Sequence, residues 1–175
     1  MSTIFVGGLA CLFLIAVMFK MLKMKEAAKP QFPYRKQRAI FTAPETSFYA
    51  LLEQAVGEHA DIFAKVRVAN VIAPEKGLSN SAWKRSFDNI ADQHFDFLLV
   101  SKKNYSVLCA IDFNGHPDKG NKKRQQHDDF LIGLCQSVNI PFIQVTAGID
   151  YTVFSLQKKL AAHMPQLRNA LLHKS

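Results

Sequence analysis

Two apolar segments joined by a short polar turn constrain the fold of this chain more than any other feature. Residues 95–100 and 106–113 are rich in Phe, Ile, Leu and Val, whereas residues 101–104 between them are polar. Two β-type runs separated by such a turn predict an antiparallel hairpin. Each run contains one acidic residue, Asp96 in the first and Asp112 in the second. The hairpin therefore places two carboxyl groups on adjacent strands.

These two acids need a physical reason to lie among apolar neighbours, because an ionised carboxylate is costly to bury without a cation or hydrogen-bond donors. The position of the turn predicts an approximately diagonal pairing of Asp96 with Asp112. Cross-strand side chains on one face lie about 5 Å apart, or about 7–8 Å diagonally, so one divalent cation could bind both. Mg²⁺ is typically held by one or two carboxylates with water and phosphate oxygens. The alternative is that one acid caps a turn or pairs with a nearby Lys or His.

The segment before the hairpin predicts two helices and a strand. The first helix is expected to begin at Thr42, which can cap it, and to end at Gly57. Alternation over residues 64–72 predicts a strand. Residues 81–91 predict a second helix, on which Trp83 is expected to fill the core.

The segment after the hairpin predicts a return to helices. We expect a loop over residues 115–121, a helix over 122–138 and a strand over 141–146. A closing helix is expected over residues 151–173, broken near Pro165. This order predicts an α/β sandwich with a mixed sheet, because a crossover helix normally joins parallel strands.

The N-terminal segment predicts a membrane anchor. Residues 1–19 carry no charged side chain, and residues 3–19 are almost entirely apolar. At about 1.5 Å per residue this run spans roughly 26 Å, the short end of what a bilayer core requires. Positive charge follows the run instead of preceding it, which argues against a cleaved signal peptide and predicts a cytoplasmic C-terminal side. The alternative is a buried core helix. The basic residues that follow are Lys20, Lys23, Lys25, Lys29, Arg35, Lys36 and Arg38.

The charge distribution favours a membrane-surface role for this basic segment. Residues 1–38 contain seven Lys and Arg against one acidic residue, whereas residues 39–175 contain 15 against 13. Each Lys or Arg near anionic lipid contributes about 1 kcal/mol of attraction. The near balance of the remainder excludes a broad basic surface for nucleic acid, so any such contact requires a local patch. We therefore predict an anchor over 1–19, a basic linker over 20–38 and an α/β domain over 39–175.

Five short segments appear in a fixed order along that domain. They are Glu45 on a helix, Phe95-Asp96-Phe97, Ile111-Asp112-Phe113-Asn114-Gly115-His116, His127-Asp128-Asp129-Phe130-Leu131 and Ile140-Pro141-Phe142-Ile143. Over roughly residues 34–160 this order resembles the bacterial domain-of-unknown-function family 2726. That family looks like a branch of the PD-(D/E)XK superfamily, close to the very-short-patch-repair type. The resemblance implies a restriction-endonuclease-like mixed β-sheet flanked by helices.

The resemblance also implies a catalytic set. Asp96 matches the first metal-binding Asp of the superfamily, and Asp112 matches the acid of the next strand. Asn114 stands where many of these nucleases have Lys, and His116 lies near the family's His. Glu45 is the implied third ligand of a Mg²⁺ ion, although stabilisation of a helix N-terminus also explains it. His116 is open to three readings: general base, metal ligand, or loop residue bonded to backbone.

A second group of residues is implied to contact substrate. Asp128 matches the Asp of an Arg-Asp pair in which His127 replaces the Arg. Gln144 stands where the family typically has Arg, which removes a fork-shaped phosphate ligand. A basic turn before Asp128 could supply charge instead, and a solvated cationic turn is the alternative explanation. The implied substrate-binding residues are Lys122, Lys123, Arg124 and Asp128.

Two functions of different classes follow from these observations. The first is a Mg²⁺-dependent nucleic-acid phosphodiesterase anchored in the bacterial inner membrane by a single helix, with its C-terminal domain in the cytoplasm. The second is a catalytically degenerate module that binds nucleic acid or a protein at that membrane. Retention of Asp96 and Asp112 favours the enzyme, whereas the neutral Asn114 and Gln144 favour the binding module.

Overall fold

The computed structural model describes residues 13–21, 32–114, 122–147 and 151–172. Residues 13–21 form a helix, α1, whose apolar side chains are exposed. Most of the predicted anchor over 1–19 lies outside the described residues, so the anchor stays a prediction. Among the described residues, no helix combines the length and the apolar character needed to cross a bilayer.

Residues 41–175 form one compact unit of alternating helices and strands. The strands form a single four-stranded sheet. Short 3₁₀ turns follow α2 and β1, and another joins the last two helices. The helices are α2 Ala43–Val56, α3 Asn80–Ala91, α4 Lys122–Ser137, α5 Val153–His163 and α6 Arg168–Leu172; the strands are β1 Asp61–Arg67, β2 His94–Val100, β3 Val107–Asn114 and β4 Phe142–Thr146.

Helix α2 begins where the sequence predicts, because its first turn satisfies its own backbone donors. The Thr42 hydroxyl accepts a hydrogen bond from the Glu45 N–H, and the Glu45 carboxylate accepts one from the Thr42 N–H at 2.7 Å. This reciprocal capping box fixes the entry of the chain into the helix. It also holds the Glu45 side chain at the helix N-terminus, facing the sheet.

The sheet has the strand order β1-β2-β3-β4. Strands β1, β2 and β3 form an antiparallel meander, and β4 joins β3 in parallel after the α4 crossover. The predicted hairpin and the predicted parallel crossover are therefore both confirmed. One prediction fails in detail: β1 spans Asp61–Arg67 rather than 64–72, because Val68–Asn70 forms a 3₁₀ turn.

Helices cover both faces of the sheet, which confirms the mixed α/β sandwich. On one face α2 and α5 bury Phe48, Leu52 and Leu156 against the sheet, and we call this layer the α2/α5 core. On the other face α4 buries Leu131 and Cys135, and we call this layer the α4 core. Trp83 was expected in the core, but it stacks on Phe87 at 5.2 Å and stays 44% exposed.

Candidate carboxylate site

The strand register aligns three charged residues across β1, β2 and β3. Pairs Ala64↔Phe97 and Val66↔Phe95 flank Lys65, so Lys65 stands opposite Asp96. In the hairpin Phe97 pairs with Ile111, and continuing this register by one residue places Asp96 opposite Asp112. The acids are therefore direct neighbours rather than the diagonal pair expected from the turn.

Lys65 links two carboxylates that come from different elements. Its ammonium group donates hydrogen bonds to Glu45 Oε1 on α2 and to Asp96 Oδ1 on β2, the latter at 2.7 Å. The side chains are 35% exposed for Lys65, 12% for Glu45 and 21% for Asp96. Because the group is mostly withdrawn from water, these ion pairs are screened less than surface pairs. The Lys65–Glu45–Asp96 bridge thus ties the start of α2 to the middle of the sheet.

The pKa values of the bridge follow from its hydrogen bonds. Burial favours the neutral forms of Glu45 and Lys65, but the hydrogen bonds and charges of their partners together have the larger effect on each pKa. Hydrogen bonds from Lys65 and Thr42 lower the pKa of Glu45 below its usual value. Hydrogen bonds to Asp96 and Glu45 raise the pKa of Lys65 above its usual value. Both groups are therefore charged near neutral pH.

Asp96 is fixed between the strands by a backbone donor. Its Oδ2 accepts a hydrogen bond from the Phe113 N–H at 2.8 Å, while its Oδ1 accepts the one from Lys65. Each carboxylate oxygen thus has a named partner, and the side chain cannot turn without losing one of them. This arrangement explains why an acid is tolerated within a strand whose other side chains are almost all buried.

Asp112 has a different environment, although it lies next to Asp96. It is only 9% exposed. Burial, the negative charges of Asp96 and Asp128 and a hydrogen bond with Asp96 together raise the pKa of Asp112 to about 6, against a smaller opposing effect of His127.

The backbone of Lys65 is unusual for a strand. Its φ angle is 54°, in the left-handed region that non-glycine residues rarely adopt. Ile62 and Ala64 before it pack against the α2/α5 core, whereas Val66 after it packs against the α4 core. The left-handed residue therefore interrupts the normal alternation of β1 at the point where the ammonium group meets the carboxylates. Such outliers cost about 1–3 kcal/mol and persist where the surroundings enforce them.

The structure brings only some of the predicted site residues together. Asn114 ends β3, and its carbonyl accepts a hydrogen bond from the Ala147 N–H at 2.8 Å. Gln144 lies on β4 opposite Asp112 of β3, and its side chain is exposed. Asp128 on α4 lies 3.3 Å from His127 Nδ1 and acts on Asp112 through its charge.

Four further residues were predicted to take part in catalysis or substrate binding. His116 lies outside the described residues, as do the side chains of Lys123 and Arg124. Lys122 is exposed at the start of α4. The predicted roles of these four residues in catalysis and substrate binding stay predictions.

The donor set of Asp96 and Asp112 fits a hard divalent cation. The two carboxyl groups lie opposite each other on neighbouring strands, and two protein carboxylates suffice for Mg²⁺ when water completes its shell. In the described part of the chain no three His, Cys, Asp or Glu side chains are grouped for metal binding. Glu45 is instead held by Lys65 and Thr42, and its predicted role as a third ligand stays a prediction.

Lys65 is the functional candidate that sequence reasoning missed. It is one of three charged residues on β1, with Asp61 and Arg67, so charge alone did not distinguish it. Its apolar surroundings could have identified it, because Lys65 stands among Phe63, Ala64 and Val66 as Asp96 stands among apolar neighbours. The left-handed backbone that aims its side chain has no sequence signal.

The fold and the site define an α/β domain whose central strands carry a carboxylate pair with an internal lysine counter-ion. The family model of the proteins of unknown function called DUF2726 matches residues 37–164. The chain belongs to this family. Neither a curated protein nor a solved structure gives a significant match to the chain.

Proposed function

We propose that this protein is a metal-dependent nucleic-acid phosphodiesterase of the PD-(D/E)XK type. The observation that carries the proposal is the strand register, which places Asp96 directly opposite Asp112 on adjacent strands. Carboxyl groups placed side by side and largely withdrawn from water are unfavourable for stability and are typical of sites that bind cations or move protons. The antiparallel meander followed by a parallel strand agrees with the mixed sheet expected of that superfamily.

In this proposal each residue has a distinct role. Asp96 and Asp112 would hold Mg²⁺, and the metal would polarise a phosphoryl oxygen and lower the pKa of an attacking water. The Phe113 N–H keeps Asp96 in place, so one ligand is already oriented before any cation binds. Lys65 supplies a positive charge beside the pair, and Glu45 shares the ion pair of Lys65. Asn114 and His116 remain proposed catalytic residues.

We also propose that residues 1–19 anchor the protein in the inner membrane, with the domain in the cytoplasm. Support comes from α1, where apolar side chains are widely exposed, for example Phe13 at 70% and Leu14 at 67%. An exposed apolar helix followed by basic residues is well suited to lipid contact. The substrate would then be nucleic acid that reaches the membrane surface.

The test is cleavage by the full-length chain purified in mild detergent. Linear and single-stranded DNA and RNA are incubated with Mg²⁺ or Mn²⁺, with EDTA as the control. Metal-dependent cleavage that Asp96→Asn or Asp112→Asn abolishes supports the proposal. Asp88→Asn is the matched control, because Asp88 pairs with Lys84 on the exposed face of α3. Cleavage that survives both site substitutions would place the chemistry elsewhere.

A binding module without turnover is the second candidate, and one observation favours it. Asp128 adds a third negative charge beside Asp96 and Asp112, while the neighbouring Gln144 is neutral. A phosphate approaching from this side meets repulsion unless a cation is bound. Binding of nucleic acid that requires metal, with no cleavage of any substrate, would support this candidate over the enzyme.

A further inference from the structure

The site carries its own cation, and that cation is bound to Asp96, one of the two proposed metal ligands. Asp96 Oδ2 is held by the Phe113 N–H, so Oδ1 is the oxygen through which Asp96 meets Lys65 at 2.7 Å. A divalent ion bound to Asp96 would lie close to a unit positive charge, and that repulsion opposes its binding. Lys65 and a metal therefore compete for Asp96.

We infer that Lys65 is a displaceable counter-ion: it holds Asp96 in the metal-free chain, moves to Glu45 alone when a divalent cation binds, and thereby sets the affinity for that cation. The inference rests on the proposed metal site at Asp96 and Asp112. It assigns to Glu45 the role of holding the released ammonium group rather than that of a third ligand. Both Lys65 and Glu45 are then positioning residues.

The contacts of Glu45 give the released ammonium a prepared position. Glu45 Oε2 accepts hydrogen bonds from the Thr42 N–H at 2.7 Å and from the Thr42 hydroxyl at 2.8 Å. Glu45 Oε1 is bonded to Lys65 already. Because the capping box fixes this carboxylate, Lys65 can give up Asp96 and keep one full ion pair. The four-carbon stem of Lys allows the short movement that this exchange requires.

The charge balance of the cluster supports the same exchange. Glu45 and Asp96 are two carboxylates that share one ammonium group, Asp112 lies next to Asp96, and Asp128 acts on Asp112 from α4. In the metal-free chain Lys65 offsets part of this charge. A divalent ion that binds Asp96 and Asp112 leaves Lys65 balanced by Glu45. Every charged group in the cluster then has an opposite neighbour.

Calorimetric titration of Mn²⁺ into the full-length chain tests this inference through binding rather than activity. Lys65→Asn removes the ammonium and keeps a residue that tolerates a left-handed backbone. We expect it to bind Mn²⁺ at least about tenfold more tightly than the wild type, because the competing charge is gone. Lys102→Asn is the matched control, since Lys102 also lies between two acids, Glu58 and Asp61, and should leave the affinity unchanged.

Lys65→Arg provides a second variant that keeps the charge and the fold. The guanidinium group of Arg can bind a carboxylate through two parallel hydrogen bonds. We therefore expect the introduced Arg to be displaced from Asp96 less readily than Lys65, and Mn²⁺ binding to weaken about threefold to tenfold. The inference therefore predicts that Mn²⁺ binding is tightest with Asn at position 65, intermediate with Lys and weakest with Arg. A purely structural Lys65 predicts that both substitutions weaken binding.

The outcomes separate this inference from the proposed function. Equal Mn²⁺ affinity at all three residue types, or weaker binding by Lys65→Asn than by wild type, overturns the counter-ion role while leaving the metal site intact. Lack of Mn²⁺ binding by wild type and by Lys65→Asn overturns both. If Lys65→Asn does not fold, Lys65→Gly takes its place, because it also lacks the ammonium group and adopts a left-handed backbone freely. Tighter Mn²⁺ binding by Lys65→Gly than by wild type supports the inference, and equal or weaker binding overturns it.

Discussion

Lys65 and Asp96 face each other across neighbouring antiparallel strands, and their side chains meet at 2.7 Å while the Lys65 backbone is left-handed at φ 54°. A left-handed lysine inside a strand is unfavourable by itself, so the ion pairs of its ammonium group must compensate for the backbone strain in the folded state. The same ion pairs neutralise Asp96 and Glu45 within the protein. Stability and site electrostatics therefore depend on one side chain.

We predict that Lys65→Asn destabilises the metal-free protein. Two carboxylates lose their common cation, but all three side chains retain some exposure, so the expected loss is about 1–3 kcal/mol rather than the 3–5 kcal/mol of a fully buried pair. Urea unfolding of the full-length chain in EDTA measures it. Lys84→Asn is the control, since it breaks an exposed pair with Asp88 and should cost less than about 0.5 kcal/mol. Equal losses in both variants would show that the bridge does not stabilise the fold.

Asp112 should make the stability of the metal-free protein depend on pH. Burial and neighbouring negative charges raise its pKa in the folded protein from the usual 3.8 to about 6. A raised acid pKa stabilises the fold fully below the unfolded value, and this contribution is lost as pH rises through about 6. Asp112→Asn, which cannot ionise, should therefore raise the free energy of unfolding by about 1–3 kcal/mol at pH 8 relative to the wild type, and much less at pH 4.

Urea unfolding at pH 4, 6 and 8 in EDTA checks this dependence. Asp129→Asn is a suitable control, because Asp129 is exposed on α4. If the difference between Asp112→Asn and wild type stays constant from pH 4 to pH 8, Asp112 does not titrate with a raised pKa in the folded protein.

Much of the fold could be predicted because its signals are local. The turn at residues 101–104 fixed the hairpin, and the Thr42 cap and Gly57 fixed the ends of α2. The end of β1 could not be predicted, since Val68–Asn70 turns through hydrogen bonds that include Val68 N–H to the distant Gln93 carbonyl at 2.8 Å. Such a contact depends on the assembled fold rather than on local sequence.

The site was predicted in part for a related reason. Asp96 and Asp112 were identified because an acid within an apolar strand is conspicuous, and the hairpin made them neighbours. Their direct pairing depends on the register shift between Leu99 and Val100, which the length of the turn does not predict. Lys65 was missed because its contact with Glu45 joins residues that are twenty positions apart and depends on how α2 packs on the sheet.

We predict that residues 1–19 hold the protein in the membrane. Apolar residues of α1 such as Phe13, Ile15 and Phe19 are exposed and favour lipid contact. The full-length chain should stay in the membrane fraction in 1 M salt and at high pH, whereas a deletion of residues 1–19 should be released by salt. A reporter fused after Ser175 should report a cytoplasmic location. Extraction of the full-length chain by salt alone would contradict a membrane-spanning anchor.

Asn114 stands where many nucleases of the proposed PD-(D/E)XK type have Lys. Asn114 ends β3 two residues beyond Asp112, so a Lys at this position could bring a second cation to the carboxylate pair. In the proposed enzyme that cation would stabilise charge on the phosphate, and one such electrostatic contact is typically worth about 10²–10³ in rate. We therefore expect Asn114→Lys to increase Mn²⁺-dependent cleavage above the wild-type level, and to do so with Asp96 and Asp112 intact.

The double variant Lys65→Asn/Asn114→Lys sharpens this test, because it moves the cation from β1 to β3 without changing the net charge. If the site needs one cation beside the metal, the double variant should cleave faster than Lys65→Asn alone. Lys84→Asn/Asn114→Lys is the charge-matched comparison that leaves Lys65 in place, because Lys84 lies on the exposed face of α3. Initial rates on labelled single-stranded DNA, measured with Mn²⁺ and with EDTA, give the comparison. Metal binding without cleavage in any of these variants would favour the binding module over the enzyme.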